Sequence, residues 1–196
     1  MSTLYTVVKV FTAETEARNS RFIAELLPYE LLESRLPELR EKHRKASHFA
    51  TAYRYFNEQR QLIEHGKDDG EVSGTAGAPA LRILQGHDLV ECAIIIVRYF
   101  GGIKLGTGGL IRAYSDAAGT VAQKSKPVLF THKLEIKLDC SFNHVSELER
   151  LCSQFKADVL NRDYTEVGLS LIIGGSEERI LELQSEWQSF SERHKI

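Results

Sequence analysis

Three cations, Arg98, Lys104 and Arg112, stand in the segment IIIVRYFGGIKLGTGGLIRAY, among Gly101, Gly102, Gly106, Gly108 and Gly109. A glycine-rich turn running into a helix leaves backbone N–H groups unpaired at the positive end of the helix macrodipole. Arginine or lysine beside it adds full charge, and the combination suits a phosphate group. A second such turn comes earlier, in DDGEVSGTAGAP, where Gly74, Thr75 and Gly77 lead into a short helix. Nine of the chain's 14 glycines lie between Asp68 and Tyr114, so the bends gather where these groups are. The competing account is that the glycines only let the chain turn while the cations stay solvated. Turns alone rarely need so many glycines, which favours an anion-binding surface.

Familiar nucleotide loops do not fit. Gly101 and Gly106 have the spacing of a phosphate loop, but Thr107 stands where that loop needs lysine. Gly106 and Gly108 begin a dinucleotide fingerprint, but the large Ile111 occupies the place of its third glycine. In the acidic turn, Asp68, Asp69 and Glu71 could hold magnesium, with Ser73 and Thr75 adding hydroxyls. Spacing supplies no fourth or fifth oxygen ligand. The turn is therefore read as a tight bend at Asp69-Gly70 with Thr75 capping the next helix, and no metal or cofactor is expected. His48 is a candidate acid or base, although a lone histidine beside alanines is more often a packed, hydrogen-bonded residue. Cys92, Cys140 and Cys152 fit no zinc or redox spacing, and no activated nucleophile presents itself, so no catalytic residue is assigned.

These groups need a scaffold. Leu4 to Phe11 reads as a strand, followed by a polar turn and a second strand from Arg21 to Leu27, giving an opening hairpin. Leu32, Leu36, Leu39 and His43 fall on one face of a helix that Pro37 either kinks or enters in its first turn, with Ser34 as cap. Ser47 to Phe56 alternates as a strand, with Ala50 and Ala52 leaving one face open to a packed helix. Asn57 to Gly66 reads as a turn or short edge strand. Pro79 to Leu84 is a short helix, and Glu91 to Tyr99, apolar on both faces from Cys92 to Val97, is a central strand. A longer helix runs from Thr107 to about Lys124. Beyond Pro127 the order is strand, helix, two strands and helix, with Asn143 and Ser176 as helix caps and a stub of a last strand at Lys195 and Ile196.

Composition bounds the rest. With 42% hydrophobic and 27% charged residues and no apolar run of membrane-spanning length, the 196-residue chain reads as soluble, in one domain or two. No secretory signal opens it, and three cysteines suggest reduced thiols in the cytoplasm. The net charge of −2 excludes a generally basic nucleic-acid binder. Charge is uneven, however: residues 1 to 127 carry a net +2 and the remainder −4, so any RNA contact needs a local patch in the first part.

DDGEVSGTAGAP together with IIIVRYFGGIKLGTGGLIRAY closely resembles the signature of the Impact/YigZ family, bacterial two-domain type. Arg21 to Ala24, Ala46, His48, Ala52 and Tyr53 extend the match; Phe49, where a polar residue usually follows the histidine, departs from it. The resemblance implies an α+β fold. Its N-terminal domain (1–127) is similar to domain 2 of ribosomal protein S5. After a linker (128–132), a ferredoxin-like C-terminal domain (133–196) resembles domain V of elongation factor G. The family has a eukaryotic branch of translation regulators, whose additional partner-binding N-terminal domain does not fit in this chain. The expected function is a cytoplasmic, monomeric, translation-associated regulator that binds RNA or a ribosomal surface through Arg98, Lys104, Arg112 and the glycine-rich turns. The alternatives are a magnesium-dependent enzyme acting on a phosphorylated small molecule and a protein-interaction module using the acidic second domain.

Overall fold

Alternating side chains decide which face of each strand is covered. The computed structural model describes residues 3–194 and divides into two units, Met1–Phe130 and Thr131–Ile196. The architecture is α+β throughout. The first unit runs β1 (Tyr5–Thr6), β2 (Phe11–Ala17), β3 (Ser20–Pro28), α1 (Leu32–Lys42), β4 (His48–Phe56), β5 (Leu62–Lys67), α2 (Gly77–Gly86), β6 (Cys92–Tyr99), α3 (Gly106–Lys124) and β7 (Val128–Leu129). Five of its strands form one antiparallel sheet in the order β2-β3-β6-β4-β5. Helices α2 and α3 cover one face; α1 and the turn before it cover part of the other.

Strand β6 lies at the middle of this sheet, as its unbroken apolar run predicts. Cys92, Ile94 and Ile96 join the core under α2 and α3, while Ala93, Ile95 and Val97 face the α1 side. Each fully buried isoleucine contributes about 1.5–3 kcal/mol relative to exposure. On β4, Ala50 and Ala52 leave room for the helices as expected, and Phe49 and Tyr53 point the other way.

Several local expectations need correction. Leu4 to Phe11 does not form the first hairpin arm; β2, Phe11–Ala17, pairs with β3, and the supposed polar turn TAETEARNS is largely strand. As an edge strand, β2 exposes Thr12, Glu14 and Glu16 and buries only Ala13, so its sequence reads as polar. The hairpin closes at Arg18 and Asn19, whose φ values are 43° and 66°. Pro37 lies inside α1 rather than in its first turn, and Ser34 donates its hydroxyl to the Leu31 carbonyl instead of capping. Val128 and Leu129 are a strand paired with Thr6 and Tyr5 rather than part of a linker.

The second unit runs β8 (Lys133–Ser141), α4 (Val145–Gln154), β9 (Asp158–Tyr164), β10 (Gly168–Ser176) and α5 (Glu177–His194). Its antiparallel sheet has the order β8-β10-β9 and packs Leu138, Leu169, Leu171 and Ile173 against Leu148, Leu151, Ile180, Leu183 and Trp187 of the helices. Asn143 sits in a 3-10 turn and makes no side-chain cap for α4. The strand stub expected at Lys195 and Ile196 lies outside the described residues.

Candidate functional site

Between β5 and α2 the acidic loop sends its three carboxylates in three directions. Asp68 accepts N–H bonds from Gly74 at 2.7 Å, Ala76 at 2.9 Å and Gly77 at 2.8 Å. Burial alone would raise this carboxyl, but the three N–H bonds outweigh it and hold it below the usual carboxylate range. The Thr75 N–H is also taken, by the Val72 carbonyl at 3.0 Å. The start of α2 is thus filled by the chain's own carboxylate, and Gly74, Thr75 and Gly77 have no amide left for an external anion. Thr75 does not cap the helix; its hydroxyl donates to the Val72 carbonyl at 2.6 Å, because Asp68 already serves the amides.

Asp69 accepts the Phe49 N–H at 2.8 Å and pairs with Arg40 at 2.8 Å. Glu71, with a side chain only 5% exposed, meets Arg98 and accepts the Tyr114 hydroxyl at 2.9 Å. Among the described residues, no three His, Cys, Asp or Glu side chains gather as metal ligands. Ser73 is exposed on the same loop. His48 donates from Nδ1 to the Asp69 carbonyl at 2.9 Å and places Nε2 3.7 Å from Glu71, the packed and hydrogen-bonded role that its alanine neighbours favoured.

Arg98 is not on the surface with the other two cations. It follows Cys92, Ile94 and Ile96 on the helix-facing side of β6 and is 5% exposed. Besides Glu71, its guanidinium reaches the Ser20 hydroxyl at 3.4 Å and lies 5.6 Å from the ring centre of Phe22 and 5.5 Å from that of Phe100. Its Nε is buried without a hydrogen-bond partner among the described residues. Tyr114 completes the knot: burial first, then the Glu71 charge, raises its hydroxyl far above the ordinary range, so it remains a donor. The cluster ties the acidic loop to β6 and α3.

The start of α3 is different. Gly102, Lys104, Gly106, Thr107, Gly108 and Arg112 are exposed, Gly109 is half-buried, and among the described residues no side chain caps the helix at Leu105. Gly101 packs against the β2–β3 turn so closely that a Cβ there would lie 2.1 Å from the Asn19 carbonyl. Its N–H donates to the Ser20 hydroxyl at 3.1 Å. This approach brings the hairpin turn beside the start of α3. Between them is a cleft of about 550 Å³, lined by Ala17, Arg18, Leu105, Gly109, Arg112, Ala113 and Asp116. Arg18 falls within the polar turn TAETEARNS of the sequence, where no motif or spacing marks it as a site residue.

Comparison with known proteins agrees with this architecture. The family model for the Impact N-terminal domain matches residues 18–122. An IMPACT family member from Haemophilus influenzae is 34% identical over 176 residues, which is 88% of this chain and 85% of that protein. The Escherichia coli IMPACT family member YigZ is 32% identical over 156 residues, 78% of this chain and 76% of its own. The crystal structure of a hypothetical protein, 29% identical, superposes with a TM-score of 0.70 over 98% of this chain and 94% of that one. The two-domain translational regulator Yih1 matches 62% of this chain and 47% of its own at 22% identity, with a TM-score of 0.36, too low to bear on function. On the family-model match and these identities, the chain belongs to the IMPACT family.

Proposed function

We propose that this protein is a translation-associated regulator that binds RNA or a ribosomal surface through the start of α3. The observation that carries the reading is the contrast between the two glycine-rich helix starts. Asp68 fills the one at α2, whereas the one at α3 has no side-chain cap and stands between the exposed cations Lys104 and Arg112. Uncapped helical N–H groups beside cations with no ion pair among the described residues suit the phosphate backbone of RNA. The link to translation comes from the family resemblance. Arg98 supports the surface from within, tying β6 to the acidic loop through Glu71 and reaching Ser20, whose hydroxyl also accepts the Gly101 N–H. The magnesium-dependent enzyme reading loses its main support, because Asp68, Asp69 and Glu71 are each engaged by protein partners.

Binding of a single-stranded RNA and of ribosomal particles, measured across a salt series, tests the proposal. Lys104→Ala and Arg112→Ala each weaken binding and lower the salt slope by about one. Binding that keeps its affinity and salt slope in both variants would rule the surface out.

A further inference from the structure

The proposed RNA surface does not include the turn of the β2–β3 hairpin, yet that turn supplies a second arginine to the same cleft. Resting on that RNA-binding reading, we infer that Arg18 and Arg112 are the two arms of a clamp for one phosphodiester group. Arg18 comes from the hairpin turn and Arg112 from the second turn of α3, and both line the cleft, to which Gly109 of the same helix also contributes. Both are exposed, and neither has an ion-pair or hydrogen-bond partner among the described residues. Arg18 is held with φ of 43°, a backbone region that arginine seldom occupies, and Gly101 fixes that turn in place by its contact with Asn19. The position of Arg18 is therefore set by the backbone beneath it.

The charge of the lining narrows the ligand. Two arginines and one carboxylate, Asp116, give the cleft a formal +1. A phosphodiester carries one negative charge and matches it; a terminal phosphate or a nucleoside triphosphate carries more and meets Asp116 unfavourably. Planar guanidinium groups approaching from two elements can each donate to a different phosphate oxygen. Gly109, without a side chain, leaves the helix wall open to a sugar-phosphate strand.

The test is a double-mutant cycle on the full chain, with a short single-stranded RNA as probe and salt dependence as readout. Arg18→Ala and Arg112→Ala each weaken binding about tenfold at low salt and lower the salt slope by about one. Because the two side chains share a single phosphate, the double variant lowers the slope by no more than either alone. A slope lowered by about two would place the arginines on separate phosphates and overturn the clamp. Arg18→Ala binding like the parent while Arg112→Ala is weakened would also overturn it and leave the α3 surface standing. A parent chain that binds no RNA would remove both. Competition by a nucleoside triphosphate through Arg18 would replace the phosphodiester with a terminal phosphate and refute the assignment. Thermal unfolding of each variant is the control, and unchanged midpoints are expected because both side chains are exposed.

Discussion

Replacing Glu71 with alanine should unfold much of the margin of the first unit. Arg98 and Glu71 have side chains 6% and 5% exposed, so the substitution leaves a guanidinium buried without its counter-charge. Breaking a buried pair from one side costs about 3–5 kcal/mol. Tyr114, fully buried, loses the acceptor of its hydroxyl, which adds about 1 kcal/mol. His48, with a side chain 24% exposed, gives water a way toward the vacated site and pulls the total to about 3–5 kcal/mol. A domain of this size has about 5–15 kcal/mol in all. Replacing both partners with methionine should recover most of the loss, since the lone cation is then gone. The assay is urea unfolding followed by far-UV circular dichroism. Fluorescence of Trp187, the single tryptophan, reports the second unit separately. A loss below about 1 kcal/mol for Glu71→Ala would refute the idea that this pair holds the acidic loop to the sheet.

Two further outcomes follow from the ionisation of the half-buried Asp68 and of the three buried thiols. The Asp68 carboxyl is held below its ordinary value of 3.8, so its bonds to the α2 amides stabilise the fold above that pH and are lost as pH falls through the lower folded value. Unfolding measured against pH should show the gap between parent and Asp68→Asn closing on that acid side; a gap independent of pH would contradict the capping role. The thiols should resist labelling in the native protein. Burial pushes Cys92 up to about 12 and raises Cys140 and Cys152 as well, so reaction with a disulfide reagent at neutral pH should await unfolding, and rapid native labelling would contradict their placement.

Much of the fold was legible because burial on both faces leaves a mark in sequence. The run from Cys92 to Val97 names the central strand, and the small residues of α3 name its packing face. Strand β2 was not legible, since an edge strand with one solvated face reads as a polar turn. Within the site, residue spacing could find the glycines and cations but could not tell which helix start was already filled. Asp68 reaches Gly77 nine positions along the chain, and no periodic pattern encodes that contact. Arg98 could have been placed correctly. It continues the alternation of Cys92, Ile94 and Ile96, so it had to face the helices and take a buried partner. Arg18 lies in the segment read as a polar turn, but only the folded hairpin brings that turn beside Arg112, and no sequence spacing encodes the approach.

The central claim is that the α3 start, and not the α2 start, takes phosphate. Amide chemical shifts of the labelled protein titrated with a short single-stranded RNA test it most directly. The account predicts salt-sensitive shifts at Gly102, Gly106, Gly108 and Gly109, with Gly74 and Gly77 unmoved because Asp68 holds their N–H groups. Shifts centred on Gly74 and Gly77, or confined to residues 131–194, would contradict it.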